Sequence, residues 1–298
     1  MILNREIFPI TLGTMTFGTP VAFEDAVALT RSALERGVNH IDTANMYEGY
    51  ARYAGSAGGV AERIVGEAIQ SFKREDLILS TKVGMKVGPE PEDDGTSPAA
   101  IEKQLNASLK RLKTDYVDLY YLHRPDTCVA MEEILEAMAA QIKAGKILGY
   151  GISNYSGEQL RNLLQTAERC HLPKPVACQP PLSLLKQEAY LDLLPELEKA
   201  AIEVIPYQIF QGGLLTGKYH RGMQPPAGSR AAEKPEWVWA MDDHLFDKLE
   251  GFEAAAAKER CSLYQYAIRW TLRQKQVTSV IVGVKNIQQL EDAIAAIR

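Results

Sequence analysis

LILSTKVGMKVGPEPEDDGTSPAAIEKQLNASLKRLKTDYVDLYYLH, residues 77–123, carries the pattern that decides the fold. It opens on an apolar, β-branched run, LILSTKV (77–83), crosses a polar loop, and resumes with helical spacing at Ser97-Pro98. Ser97 suits an N-cap, where its hydroxyl accepts from a free backbone N–H. Pro98 suits the first helical position, where a missing N–H costs nothing. A second strand-like run, YVDLYYLH (116–123), follows the helix. Strand, helix, strand in that order reads as a parallel pair with a helical crossover.

The same unit repeats in both directions. Toward the N-terminus lie ITLGTM (10–15), a helix over 24–36 stopped by Gly37, VNHID (38–42) and a helix over 61–72. Gly at such a stop adopts the left-handed turn that ends many helices. Toward the C-terminus lie a helix over 131–145, KILGYGIS (146–153), a helix over 158–170, PVACQ (175–179), a helix over 189–201 and EVIPY (203–207). After a long loop come helices over 247–261 and 263–274, SVIVGV (279–284) and a last helix over 287–298.

Eight strand–helix alternations predict an α/β fold of the closed (β/α)8 TIM barrel type, not an open doubly wound sheet. The first strand runs into LGTMTFG, which lacks the G-x-G-x-x-G spacing of a dinucleotide-binding sheet. A chain of 298 residues has room for two ordinary domains. Eight units need most of that length, however, and no linker interrupts them. One domain over 1–298 is expected, with extended loops after strands 2, 3 and 7.

Composition narrows the function. Apolar residues are 46% and charged residues 24%, the balance of a globular chain with a sizeable core. A net charge of −5 disfavours nucleic acid or an anionic membrane as a partner, although a few local cations can still hold one phosphate. No stretch is long and apolar enough for a transmembrane helix. MILNREIFPI carries Arg5, Glu6 and Pro9 where a signal peptide needs an apolar run. Cys128, Cys170, Cys178 and Cys261 form no framework and read as reduced thiols, so a cytoplasmic location is expected. Five scattered histidines argue against a metal.

Active sites of such barrels gather at the carboxyl ends of the strands. Those ends carry Asp42, with Tyr47 beyond it, then Lys82, His123, Ser153-Asn154, Gln179 and Tyr207. Each alone suits a bland role: a turn cap, a packed ring, a solvated strand end. Together they supply one another. Asp42 can hold Lys82 as a fixed cation, and that cation with an imidazole nearby is expected to lower the Tyr47 pKa from about 10. A phenol so placed can protonate an oxygen that is becoming an alkoxide.

GVNHIDTANMYEG, LILSTKVG, SLKRLKTDYVDLYYLHRPD, GYGISNYS, CQPPLSLL, GGLLTGKY and VIVGVKNIQQLED resemble, in order, the signature segments of the aldo-keto reductases, from about Leu12 to the C-terminus. The resemblance implies a metal-free oxidoreductase that reduces an aldehyde or ketone with NAD(P)H. It implies Tyr47 as general acid, tuned by Lys82 and Asp42, with His123 orienting the carbonyl. Ser153, Asn154 and Gln179 would bind the nicotinamide carboxamide, and Tyr207 would stack on the ring. Gly13, Thr14, Met15 and Gln208 join the cofactor set it implies. Lys218 and Arg230 resemble the basic residues of a loop over the pyrophosphate, and Gly283, Lys285, Gln289 and Asp292 the adenosine segment. Lys285 near a helix N-terminus favours a 2′-phosphate, hence NADPH over NADH.

The chain departs from the family pattern at three places. Tyr207-Gln208-Ile209-Phe210 replaces an aromatic residue followed by Ser-Pro-Leu, Asp292-Ala293 replaces a Glu-Asn pair, and the loop after Tyr47 (48–60) is long. In that loop Tyr50 or Tyr53 lines the substrate pocket, or the segment is a free surface loop. Trp237 and Trp239, within the loop over 208–242, line a pocket or anchor the loop. Two other functions stay open at this level: an NADPH-holding protein that reports redox state to a partner, and a sugar or polyol dehydrogenase running the reaction in the oxidising direction.

Overall fold

A computed structural model describes residues 2–53 and 55–298. Its strands and helices alternate except between β7 and β8, where three helices follow one another: β1 (Ile10–Gly13), α1 (Phe23–Glu35), β2 (His40–Asp42), α2 (Val60–Ala68), β3 (Ile78–Val83), α3 (Pro98–Leu112), β4 (Val117–Leu122) and α4 (Met131–Lys143). Then come β5 (Ile147–Ser153), α5 (Gly157–Arg169), β6 (Ala177–Gln179), α6 (Leu193–Lys199), β7 (Glu203–Val204), α7 (Arg230–Glu233), α8 (Asp243–Lys258), α9 (Leu263–Leu272), β8 (Val280–Gly283) and α10 (Ile287–Ala295). The eight strands are parallel, in the order β7-β6-β5-β4-β3-β2-β1-β8. The two ends of that order meet: Thr278 N–H donates to Val204 O at 3.1 Å and Ile281 N–H to Pro206 O at 2.9 Å. The sheet therefore closes on itself as a (β/α)8 barrel, with long connections after β2, β3 and β7.

The local signals act where they were read. Ser97 caps α3 by accepting from Ala100 N–H, and Gly37 and Gly145 take φ of 92° and 70° just past α1 and α4. Three boundaries differ from expectation. EVIPY pairs as a regular strand only over Glu203–Val204, and its neighbour ends at Gln179, because Pro206, Pro180 and Pro181 lack the N–H a ladder needs. Helix α6 starts at Leu193, not 189, since Pro195 is tolerated only within a first helical turn. Helix α8 starts four residues before 247, because Asp242 accepts from Leu245 N–H at 2.8 Å and caps an earlier turn. The short α7 lies in a stretch expected to be loop.

Apolar burial occurs in two shells. Leu12, Ile41, Leu79, Leu122 and Ile152 pack between the sheet and its helices. Ile78, Leu119, Ala177 and Ile205 fill the barrel with Ile2 and Ile7 of the N-terminal lead-in. Ile2 and Arg5 pair across a tight turn there, and Arg5 reaches the buried Asp118 at 2.6 Å. That end of the barrel is sealed, while the carboxyl ends open into a cavity of about 930 Å³. A third cluster, with Leu214, Leu215, Leu245 and Leu249, seats the segment after β7 against α8 and α9. No helix among the described residues is long and apolar enough to cross a membrane.

Candidate active site

Parallel register places the polar strand ends at one level. Gly13 pairs with Asp42, Asp42 with Ser80, and Ser153 with Gln179. Gly13 also pairs with Gly283, and a Cβ on Gly13 would lie 2.7 Å from Ile281 Cγ2, so the β1–β8 seam needs glycine there.

Asp42 and Lys82 are each 2% exposed. Lys82 Nζ donates to Asp42 Oδ2 at 2.5 Å and Thr43 O at 2.8 Å, and it lies 3.4 Å from Tyr47 Oη. Three acceptors thus meet the three ammonium protons. Burial works against that charge, but Asp42 and Tyr47 outweigh it and hold the Lys82 pKa above the ordinary lysine value. Asp42 Oδ1 accepts from Ser80 Oγ at 2.9 Å and from Gln179 Nε2 at 2.7 Å.

Tyr47 stands on the loop after β2, its N–H donating to Ala44 O. Its phenol corrects the sequence expectation. Burial raises the pKa above 10, and Lys82 only partly opposes this. The sequence-level argument included the cation but not the low-dielectric wall around it. The group is therefore a protonated donor at neutral pH. His123, at the end of β4, stands edge-on to Tyr47 with ring centroids 6.0 Å apart. Burial, then Lys82 and Arg124, hold it well below the usual histidine range, so it is neutral. Its Nδ1 is buried with no partner among the described residues.

Asn154 takes φ of 62°, a left-handed conformation that asparagine tolerates, and faces three strand ends. Its Nδ2 donates to His123 O at 2.8 Å and Ser153 Oγ at 3.2 Å, and its Oδ1 accepts from Tyr207 Oη at 2.6 Å. Ser153 Oγ donates to Gln179 O at 2.9 Å. The Tyr207 phenol is pushed up to about 12, chiefly by burial.

Farther along the cavity, Lys218, Arg230 and Lys285 line one wall. Burial lowers the Lys218 pKa, and repulsion from Lys285 and Arg230 lowers it further. Lys285 Nζ donates to Gly228 O at 2.8 Å and to Glu233 Oε2 at 2.6 Å. Three cations thus share this part of the wall, with the Glu233 carboxylate paired to Lys285, a concentration of positive charge that suits an anionic group. Gln289 Oε1 accepts from Lys285 N–H, and Asn286 caps α10.

All the site residues read from the sequence, from Gly13, Thr14 and Met15 through Gln208 to Gly283, Gln289 and Asp292, line this one cavity. The aromatic alternatives resolve. Tyr50 lines the cavity and accepts from Arg230 Nε at 3.3 Å, whereas Tyr53 is 70% exposed and lies away from it. Trp237 packs edge-on against Tyr50 at 5.4 Å, and neither Trp237 nor Trp239 lines the cavity; Trp237 anchors its loop. Sequence reasoning missed Met46, Met85, Phe210, Gln211, Ser262, Tyr264 and Gln265 in the lining. Two of those shared a readable signal: Ser262-x-x-Gln265 is a capping box that opens α9. Phe210 stacks on Tyr264 at 4.4 Å, a pairing of distant segments.

The pattern described as "Aldo/keto reductase family" matches residues 9–298. L-glyceraldehyde 3-phosphate reductase of Escherichia coli O157:H7 is 32% identical over 289 residues, 94% of this chain and 81% of that one. Uncharacterized oxidoreductase YrpG of Bacillus subtilis (strain 168) is 32% identical over 295 residues, covering 97% and 86%. A protein of Arabidopsis thaliana named as a probable voltage-gated potassium channel subunit beta is 31% identical over 288 residues, covering 95% and 85%.

Proposed function

The chain belongs to the aldo/keto reductase family, and from that premise we propose that it is an NADPH-dependent carbonyl reductase that turns an aldehyde or ketone into the alcohol with Tyr47 as general acid. One observation carries the reading: the Tyr47 hydroxyl lies 3.4 Å from the buried Lys82 ammonium, in the wall of a large cavity and beside a neutral imidazole.

Reduced nicotinamide supplies the hydride when bound. The chain's own residues handle the oxygen. Neutral His123 and protonated Tyr47 offer hydrogen bonds to the carbonyl oxygen and hold it in line. As charge grows there, Tyr47 gives up its proton, and Lys82 stabilises the tyrosinate left behind. Asp42 keeps Lys82 in place through both states. Ser153, Asn154 and Gln179 are the amide and hydroxyl groups available to a carboxamide, and the Tyr207 ring stands beside them. Lys218 and Arg230 suit the pyrophosphate. Lys285 suits a 2′-phosphate, which favours NADPH over NADH, and Gly13, Thr14, Met15, Gln208, Gly283, Gln289 and Asp292 complete the cofactor's surroundings.

The test is cofactor oxidation with a panel of aldehydes and ketones, run with NADPH and with NADH. Turnover with NADPH supports the reading. Tight NADPH binding with no turnover on any member overturns it. That outcome supports a second reading, a cofactor-holding protein serving a partner, which the likeness to proteins named as potassium channel subunits favours.

A further inference from the structure

Beneath the proposed site a run of polar side chains crosses the barrel interior, where apolar packing is the rule. Ser279 Oγ lies 2.7 Å from Thr11 Oγ1, Thr11 Oγ1 2.9 Å from His40 Nδ1, His40 Nε2 3.0 Å from Ser80 Oγ, and Ser80 Oγ 2.9 Å from Asp42 Oδ1. Ser279, Thr11, His40 and Ser80 are all 0% exposed. They come from four places in the chain: the residue before β8, then β1, β2 and β3.

Chemistry sets the direction of every proton in this chain. Asp42 is ionised against Lys82 and has no proton to give, so Ser80 must donate to it. The carboxylate takes that proton in preference to Ile41 O, 3.4 Å away. Ser80 then has only lone pairs left for His40, so His40 Nε2 carries the proton. Nδ1 is left as an acceptor for the Thr11 hydroxyl, and Thr11 in turn accepts from Ser279. Neutral His40 is what burial dictates; its pKa is held down at about 4, with Asp42 and Asp118 pulling upward and Lys82 downward. The ionisable groups that feel the Asp42 charge are His40, Lys82, Tyr47 and the buried Tyr121.

We infer that His40 is a positioning residue which, through Ser80, orients a line of donors onto Asp42 and thereby sets how readily Tyr47 gives up its proton. The inference rests on the reading of Tyr47 as the general acid. The sign follows from the charges. Donors on Oδ1 spread the Asp42 charge, and that charge raises the Tyr47 pKa. Without them Asp42 holds Lys82 more tightly and acts on Tyr47 with its full charge, so the phenol becomes harder to ionise.

Two measurements test this. In protein labelled with 15N-histidine, long-range 1H–15N NMR should show His40 as the neutral Nε2–H tautomer from pH 6 to 8, and Ser80→Ala should shift it toward Nδ1–H. For kinetics, 4-nitrobenzyl alcohol, benzyl alcohol and 1-butanol are oxidised with NADP+ across pH. Ser80→Ala should move the inflection for the fastest of them up by about one pH unit, the tenfold effect expected for one hydrogen bond to a charged group. Ser80→Thr, which keeps the hydroxyl, should restore it. An Nδ1–H tautomer in the wild type overturns the inference, as does a Ser80→Ala profile superimposable on that of an active wild type. A wild type that oxidises none of these alcohols and reduces none of the matching aldehydes overturns the reductase reading itself, and the inference falls with it.

Discussion

Asp118 and Asp42 are both buried carboxylates of the same barrel, each held by cations, and they differ in what those cations face. Asp118, at the sealed end, accepts from Arg5 at 2.6 Å, Arg74 at 2.7 Å and Leu79 N–H at 2.8 Å. Both arginines spend their other donors within the protein: on Leu77 O and Glu75 O for Arg5, and on Leu77 O, Tyr116 O and the Thr114 hydroxyl for Arg74. Asp42, at the open end, is met by one lysine whose third proton points at a phenol in the cavity wall. A saturated pair ties segments together. A pair with one donor directed into a cavity can act on whatever enters it.

Tyr47→Phe breaks the open-end arrangement at its outermost atom and has the largest expected effect. Turnover should fall about 100- to 10,000-fold, while NADPH affinity and the unfolding midpoint stay near wild type; initial rates and fluorescence titration of the cofactor check this. At the sealed end the pattern should invert. Asp118→Asn is expected to cost about 3 kcal/mol in urea unfolding, the low end for a broken buried pair, because Arg5 and Arg74 retain some access to water. Turnover per folded molecule should be unchanged.

His40 feels the charge of both carboxylates. Its folded pKa of about 4 lies below the unfolded value of about 6.5, so the unfolded chain takes the proton first as pH falls. Stability from this group is therefore complete above pH 6.5 and is lost on acidification toward pH 4, by roughly 3 kcal/mol. Urea midpoints at pH 7 and pH 4.5 should show the decline, and His40→Leu should flatten it. The smallest effect is expected farthest from the proton chemistry. Lys285→Ala should weaken NADPH binding about tenfold, since removing one contact to a charged group is worth about 1.5 kcal/mol, and should leave NADH binding nearly unchanged. Equal losses for both cofactors would show that Lys285 does not read the 2′-phosphate.

Much of the barrel was legible because its signals are local. Ser97-Pro98, Gly37 and Gly145 act within a turn of where they stand. Strand ends are also local, so Asp42, Lys82, His123 and Gln179 could be assigned to one mouth once eight units were counted. What stayed illegible depends on neighbours far along the chain. Nothing near Lys285 announces Glu233, which pairs with it through a four-residue helix in a loop. Nothing near Tyr50 says that it, and not Tyr53, meets Arg230 and Trp237.

By itself the sequence determined the order of elements, the fold class and which polar side chains emerge at the carboxyl ends. Periodicity, caps and strand ends are properties of a few consecutive residues, and they suffice for that. Only the tertiary structure decided the chemical state of the groups so gathered. Asp42 collects Lys82 and Ser80 from β3 and Gln179 from β6, 137 residues along the chain. Burial raises the Tyr47 pKa where charge alone would have lowered it, and His123 is left neutral. Desolvation and Coulomb interactions act through space, across walls built from loops remote in the chain, so proton affinity belongs to the folded assembly and not to any one motif.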